Sequence, residues 1–348
     1  MNLKVAVFFR LLCYNGKDER TDEDMNIVTV TMNPCIDRTI TIEKPIEIGG
    51  THRVSATREE VSGKGINVSG LLKNWNIPTK CLGFDFRGSK LPVARALRDR
   101  GIPAWLHSVD GKLRCNIKVF DNTERTMTEF NEKGMEVRSE DIEAICLLIE
   151  KQLNEMDQDD LFVLTGSVPP GVPTDFYKQV IERAREKGIR TVLDASGDLL
   201  KEGITAKPFV LKPNKEELET ILGHKIKSEE EICEVCKFLI EQGIDYICVT
   251  LGEKGAMLIC QNGIYCANPL DIEVKGIQGA GDSVVAGMCV AISEGKEPKD
   301  ILKYAMAAAA GSLILEGTQM CRWEDFEKLL PEVVVRSQNS LIRKIDEI

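Results

Sequence analysis

The chain predicts an α/β protein, a parallel sheet covered on both faces by helices, with a few strands set apart from it. Two observations carry that expectation. First, short apolar runs at 27–32, 161–165, 191–194, 209–212 and 246–250 read as buried strands, and the segments between them at 141–154, 174–187, 215–222 and 229–242 carry helical period. Strands of a parallel sheet are buried on both faces and so become near-continuous apolar runs separated by amphipathic helices. Second, 38–60 and 112–131 break the alternation. They are rich in Thr, Val, Ile and charged residues and alternate with period two, as in Thr39-Ile40-Thr41-Ile42 and Asn116-Ile117-Lys118-Val119-Phe120. These are predicted as extra strands outside the main sheet, forming a small lid. The alternative is a pair of edge strands with no part in closing over a ligand.

Composition narrows the function. The 348 residues suffice for one large or two ordinary domains. A net charge of −10 argues against broad binding to nucleic acid or to an anionic membrane. A small phosphorylated ligand is still admissible, since a few local lysines and amides can hold it. The 12 cysteines are scattered. Cys233 and Cys236 form a CxxC on a predicted helix, but no second pair follows at zinc-site spacing, so free buried thiols in a reducing cytoplasm are expected. The apolar run at 5–14 is broken by Arg10, is too short to cross a bilayer and lacks a small-residue cleavage site. Residues 1–24 are therefore expected as an extension outside the fold, or as an interaction tail.

The chemistry-bearing residues cluster at turns. Asn33-Pro34-Cys35-Ile36-Asp37 follows the first strand, and Asp37 there could accept hydrogen bonds from sugar hydroxyls or serve as a turn carboxylate. Ser62-Gly63-Lys64-Gly65-Ile66-Asn67 opens a helix with one cation, Lys64, and one amide, Asn67. It has neither the dinucleotide-binding nor the Walker spacing. Gly83 to Lys90 comes near a Walker motif but reverses its Ser and Lys. Arg114, Asn116 and Lys118 alternate, so a strand would put all three on one face, fit for a phosphate or for a solvated edge. At Lys212-Pro213-Asn214-Lys215-Glu216-Glu217, Asn214 is a plausible N-cap with Glu217 as its capping-box partner. The functional alternative has both residues steering Mg²⁺ through waters. Thr250, Gly252 and Gly255 mark a turn, either passing close to a nucleotide or forming a hairpin into 256–259.

The most informative stretch is Gly276-Ile277-Gln278-Gly279-Ala280-Gly281-Asp282-Ser283, followed by an apolar helical run at 284–292. Gly279, Ala280 and Gly281 let backbone amides crowd around an anion where a helix begins. A carboxylate beside a phosphate cradle makes sense if Asp282 takes a proton from an attacking hydroxyl. The plain alternative is a glycine turn with Asp282 near the N-cap. Ligands of open α/β sheets sit beyond the carboxyl ends of the strands, and each of these turns ends a strand or begins a helix at what should be that edge.

Taken together, these residues resemble the PfkB carbohydrate-kinase family. Gly63-Lys64-Gly65-Ile66-Asn67 is similar to its first signature, Gly279-Ala280-Gly281-Asp282-Ser283 to its second, and Asn214 to Glu217 to its N-x-x-E element, in order over most of the chain from Met25 to Cys321. Thr31 to Asp37, Gly49 to Val54, Thr165 to Gly171 and Leu211 to Lys215 lean toward the bacterial 1-phosphofructokinase and tagatose-6-phosphate kinase branch. Ser62 departs from the usual glycine, and Val284 from the usual aromatic or Met. The resemblance implies a ribokinase-like three-layer αβα sandwich over 25–330, a lid from 38–60 and 112–131 that often forms a homodimer, and a C-terminal helical tail at 331–348. It implies ATP as phosphoryl donor, Mg²⁺ as cofactor and a sugar phosphate as acceptor. Fructose 1-phosphate is favoured, with tagatose 6-phosphate, fructose 6-phosphate or an unphosphorylated sugar or nucleoside as alternatives. In that scheme Asp282 is the base, Lys64, Arg114 and Lys118 hold the substrate's phosphate, Asp37 and Asn67 orient its hydroxyls beside Gly63, and Lys212, Asn214, Thr250, Gly252 and Gly255 line the nucleotide path.

Overall fold

The computed structural model describes residues 26–338. The first strands are β1 (Ile27–Thr31), β2 (Cys35–Ile42) and β3 (Val54–Ser62). Helix α1 (Lys64–Asn74), β4 (Thr79–Phe86), α2 (Val93–Asp99), β5 (Ala104–Val109), β6 (Arg114–Asp121) and β7 (Thr126–Asn131) follow. The middle of the chain runs α3 (Ser139–Glu155), β8 (Leu161–Thr165), α4 (Phe176–Glu186), β9 (Arg190–Asp194), α5 (Gly197–Thr205), β10 (Val210–Leu211), α6 (Lys215–Leu222) and α7 (Glu229–Glu241). It closes with β11 (Tyr246–Thr250), β12 (Ala256–Cys260), β13 (Gly263–Ala267), α8 (Ala280–Ser293), α9 (Pro298–Leu313), α10 (Trp323–Leu329) and β14 (Val335–Ser337).

Ten strands form one sheet in the order β14-β13-β12-β11-β10-β9-β8-β1-β4-β5, parallel from β11 to β5 and antiparallel from β11 to β14. Alternation along each strand divides its side chains between two cores. On β8, Phe162 and Leu164 join one cluster, with Ile145 of α3, Tyr177 of α4 and Cys236 of α7. Leu161 and Val163 join the other, with Leu71 of α1, Val285 of α8 and Ala305 of α9. Two helical layers thus sandwich the sheet. Helix α8 needs no polar face because α9 covers it, and Val284, Val285, Ala286, Met288, Cys289 and Val290 are each 3% exposed or less. The CxxC thiols sit inside α7, buried, and none of the 11 described cysteines is in a disulfide. Among the described residues no helix is long and apolar enough to cross a membrane.

The predicted lid is a separate four-stranded sheet, β3-β2-β6-β7. Strand β2 pairs antiparallel with β3 and parallel with β6. Besides the terminal strand β14, three strands escaped the sequence reading. β4 carries Gly83 and Asp85 of the stretch compared with a Walker motif, β5 begins just after Pro103, and β13 is short and carries Tyr265.

Two expectations concern the ends. The extension at 1–24 lies outside the described residues. The helical tail expected from 331 onward is corrected: a single 3₁₀ turn, Leu330–Glu332, leads into β14, which pairs with β13 at Ala267↔Val335. The reason is period two, since Val333 and Val335 are 2% and 6% exposed while Val334 between them is 64% exposed. Residues 339–348 lie outside the described residues.

Candidate active site

The carboxyl end of the parallel strands, the start of α8 and the inner face of the lid enclose a cavity of about 490 Å³. Asp37, Gly63, Lys64, Asn67, Arg114, Lys118, Gly279, Gly281 and Asp282 all line it. Two glycine positions make this possible. Gly65 lets α1 approach β1, because a Cβ there would fall 2.5 Å from Thr31 Oγ1. Gly279 stands in the left-handed region at φ 72° and turns the chain into α8, so that the amides of the first turn face the cavity. The Ser283 hydroxyl donates to Gly279 O at 2.9 Å and fixes that turn.

Asp282 is 6% exposed. Asn67 Nδ2 donates to its Oδ2 at 2.8 Å, joining the two glycine turns. Burial pushes its pKa up to about 6, with Lys64 opposing and Asp194 reinforcing the shift. The Lys64 ammonium is turned to Asp194 Oδ2 at 3.1 Å. Burial works against that charge, but Asp194 and Asp282 outweigh it and raise the lysine's pKa.

Asp194 is the residue that sequence reasoning missed. It ends β9 fully buried, accepts from Thr165 Oγ1 at 3.0 Å, and has Lys212 Nζ 3.0 Å from its other oxygen. Burial alone would raise its pKa, but Lys212 and Lys64 hold the carboxyl below the usual carboxylate range. The result is two ammonium groups fixed beside the helix start, with Lys212 Nζ 3.9 Å from where a Cβ on Gly281 would stand. A signal existed: an aspartate at the carboxyl end of a buried parallel strand is placed where ligands bind.

The lid contributes the other half. Arg114, Asn116 and Lys118 share one face of β6, as their spacing predicts, opposite Asn131 and Glu129 of β7. Lys118 Nζ donates to Asp37 Oδ2 at 2.8 Å and Asn116 Nδ2 to Oδ1 at 3.0 Å. Burial opposes ionisation of Asp37, but Lys118, Ser62 and Asn116 together hold its pKa below the ordinary value. Lys118 is thereby spent on Asp37. Arg114 donates to Asn33 O at 3.1 Å and Glu132 O at 3.0 Å, which aim the guanidinium without neutralising it. Among the described residues lining the cavity, it is the cation with no carboxylate partner.

The residues expected along a nucleotide do not line this cavity. Lys212, Asn214 and Thr250 lie at the ends of neighbouring strands, with Asn214 bridged to Thr250. Leu251 N donates to Gly255 O at 2.8 Å, so Thr250 to Gly255 is a tight turn into β12, the hairpin reading. Asn214 and Glu217 form the full capping box of α6, each side chain accepting from the other's amide at 2.8 Å. No group of three or more His, Cys, Asp or Glu is set to hold a metal among the described residues. Glu217 is compatible with outer-sphere Mg²⁺: only Oε2 is used in the box, and burial raises its pKa despite Lys212 nearby.

A parallel sheet whose ligand edge carries a helix-start anion cradle, a near-neutral carboxylate and paired lysines defines a phosphoryl-transfer enzyme acting on a small polar acceptor. The family model for pfkB family carbohydrate kinases matches residues 30–325, and the chain belongs to that family. It is a carbohydrate kinase, a membership that implies ATP as phosphoryl donor. It is similar to the 1-phosphofructokinase of Bacillus subtilis, at 34% identity over 89% of this chain and 99% of the relative. A possible 1-phosphofructokinase of Thermotoga maritima superposes with TM-score 0.80 at 26% identity, covering 90% of this chain and 99% of the other. The tetrameric inhibited form of phosphofructokinase-2 from Escherichia coli gives TM-score 0.79 at 22% identity over 88% and 99%, a likeness of fold. The three-layer sandwich with its lid is thus the ribokinase-like architecture expected.

Proposed function

We propose that the chain phosphorylates a hydroxyl of fructose 1-phosphate with ATP, giving fructose 1,6-bisphosphate and ADP. The observation that carries this reading is the pairing, in one cavity, of a base poised near neutrality with an arginine left free of carboxylates. Asp282 takes the proton of the attacking hydroxyl through Oδ1, while Asn67 occupies Oδ2. The hydroxyl oxygen bonds to the γ-phosphorus, and the bond from that phosphorus to the β,γ-bridging oxygen breaks as ADP leaves. Amides of Gly279 to Asp282 stabilise the charge on the transferring group. Arg114 grips the phosphate already on the sugar, as guanidinium suits phosphate geometry. Lys64 lends charge from its place beside Asp194. Asp37, its pKa held low by Lys118 and its other neighbours, accepts from sugar hydroxyls.

Lys212, which reaches the helix start beside Gly281, and Asn214, Thr250, Gly252 and Gly255 at the neighbouring strand ends are assigned to the nucleotide, the hairpin turn at 250–255 forming part of its path. Asn214 and Glu217 would hold Mg²⁺ through its waters, and the ion when bound would screen phosphate charge. The lid's outer face supports a homodimer: Ile117 and Phe130 are cross-strand partners, 37% and 58% exposed, with Val54 of β3 46% exposed. The free thiols fit a reducing, cytoplasmic setting.

The test is ADP release with fructose 1-phosphate, tagatose 6-phosphate, fructose 6-phosphate and fructose. The highest kcat/KM is expected with fructose 1-phosphate. Faster turnover of unphosphorylated fructose would overturn the reading.

A further inference from the structure

Gln278 immediately precedes the Gly279 turn and lines the cavity beside Asp282. It is 7% exposed, yet neither its amide oxygen nor its amide nitrogen has a hydrogen-bond partner. The other buried side-chain amides of this cavity are engaged. Asn33 donates to Lys133 O and Ser167, Asn67 to Asp282, and Asn116 to Asp37. The two amide atoms of Gln278 are covered in the ligand-free fold, each with less than 1 Å² exposed, so a bound group meets them by a turn of the side chain while the backbone on either side of the residue stays held. Three residues before it, Lys275 N donates to Leu313 O at 2.8 Å, and just after it the left-handed Gly279 fixes the entry to α8.

A buried polar group left unmet is unfavourable, and native structures retain one mainly where a ligand or a bound water completes it. The chemistry of the gap identifies the ligand group. A phosphate oxygen accepts only, so it would satisfy Nε2 and leave Oε1 unmet. A hydroxyl both donates and accepts, and can satisfy an amide on both sides. Resting on the kinase reading above, we infer that Gln278 is a specificity-determining residue that binds one non-reacting hydroxyl of the acceptor sugar next to the site of transfer. It discriminates sugars by the presence and direction of that hydroxyl, because a sugar lacking it leaves the amide buried without partners.

The experiment uses the full chain and Gln278→Leu, a change of similar volume, at saturating ATP. The substrates are fructose 1-phosphate and three analogues each missing one hydroxyl: 2,5-anhydromannitol 1-phosphate, 3-deoxyfructose 1-phosphate and 4-deoxyfructose 1-phosphate. The wild type should lose about 10- to 100-fold in kcat/KM on one analogue. Gln278→Leu should lose a similar factor on the parent sugar and nothing further on that same analogue, with the KM for ATP unchanged within about twofold. Its ligand-free melting temperature should equal or exceed that of the wild type, because an unmet amide has been removed. A penalty that is uniform across all four sugars, no penalty at all, or a variant that melts several degrees lower would overturn the assignment. Wild-type protein inert toward every sugar would instead sink the kinase reading, and this inference with it.

Discussion

Asp37 in the lid and Asp282 at the start of α8 face the same cavity and are almost equally buried, at 5% and 6% exposed. Their acidities nevertheless move in opposite directions. Lys118 stands 2.8 Å from Asp37, and that cation with its amide and hydroxyl neighbours overcomes burial and lowers the pKa. Asp282 has the neutral Asn67 at hydrogen-bond distance, while the nearest ammonium is turned toward Asp194, so burial prevails and its pKa rises to about 6. What sets the task of a buried carboxylate here is whether a cation is dedicated to it. Asp37 stays an anion and can only accept hydrogen bonds, whereas Asp282 can take and release a proton near neutrality.

The largest effect should come from Asp282→Asn, which keeps the shape and removes the base. Turnover is expected to fall by about 10²–10⁴, with ATP binding measured calorimetrically largely retained. A loss smaller than about tenfold would move proton transfer to another group and dissolve the contrast. Lys118→Met attacks the other side. It strands the buried Asp37 charge and should destabilise the protein by about 3–5 kcal/mol at pH 7, read from the urea midpoint. Part of that loss should be recovered at pH 5, where the stranded carboxylate can take a proton. An unchanged midpoint would mean that Asp37 does not depend on Lys118.

Stability offers a third probe, with opposite sign. The folded pKa of Asp282 is raised from 3.8 to about 6, so folding favours its protonated form. Stability is lost as pH rises through that window, and above it the ionised group disfavours the fold by up to about 3 kcal/mol. Asp282→Asn should therefore melt higher than the wild type at pH 8, with the gain fading toward pH 4. A variant that melts lower at pH 8 would show that the carboxylate is better solvated than its burial implies. The smallest effect separates substrate grip from both carboxylates. Arg114→Ala should raise the KM for the sugar phosphate about 10- to 100-fold with kcat nearly kept, the worth of a hydrogen bond to a charged group. An unchanged KM would assign the phosphate elsewhere.

The residues of this contrast were legible in the sequence, but their opposite shifts were not. Asp282 stood out because Gly279, Ala280 and Gly281 could bring amides near an anion, though a plain glycine turn was equally open, and the alternation of Arg114, Asn116 and Lys118 placed those three together. Their division of labour was not legible. Period two says that Lys118 and Arg114 share a face, but not that β2 lies alongside in the register that brings Asp37 to Lys118. Asp194 was hidden for a related reason: its importance comes from Lys64, 130 positions away, and from Lys212, meeting at one point. The tail was misread because Val333 to Arg336 is too short a stretch for its alternation to be recognised without β13 beside it. Gln278 could not be distinguished by pattern, since its distinction is a lack of partners.

The most direct measurement is kcat/KM for fructose 1-phosphate from pH 5 to 9 in the wild type and in Asp282→Asn. The account predicts that wild-type activity rises with pH through a steep limb near 6, where Asp282 and the substrate phosphate ionise together, and that the variant keeps only the shallower rise of the substrate phosphate. A limb of the same steepness and position in both proteins would belong to the substrate alone and would contradict a proton passing through Asp282.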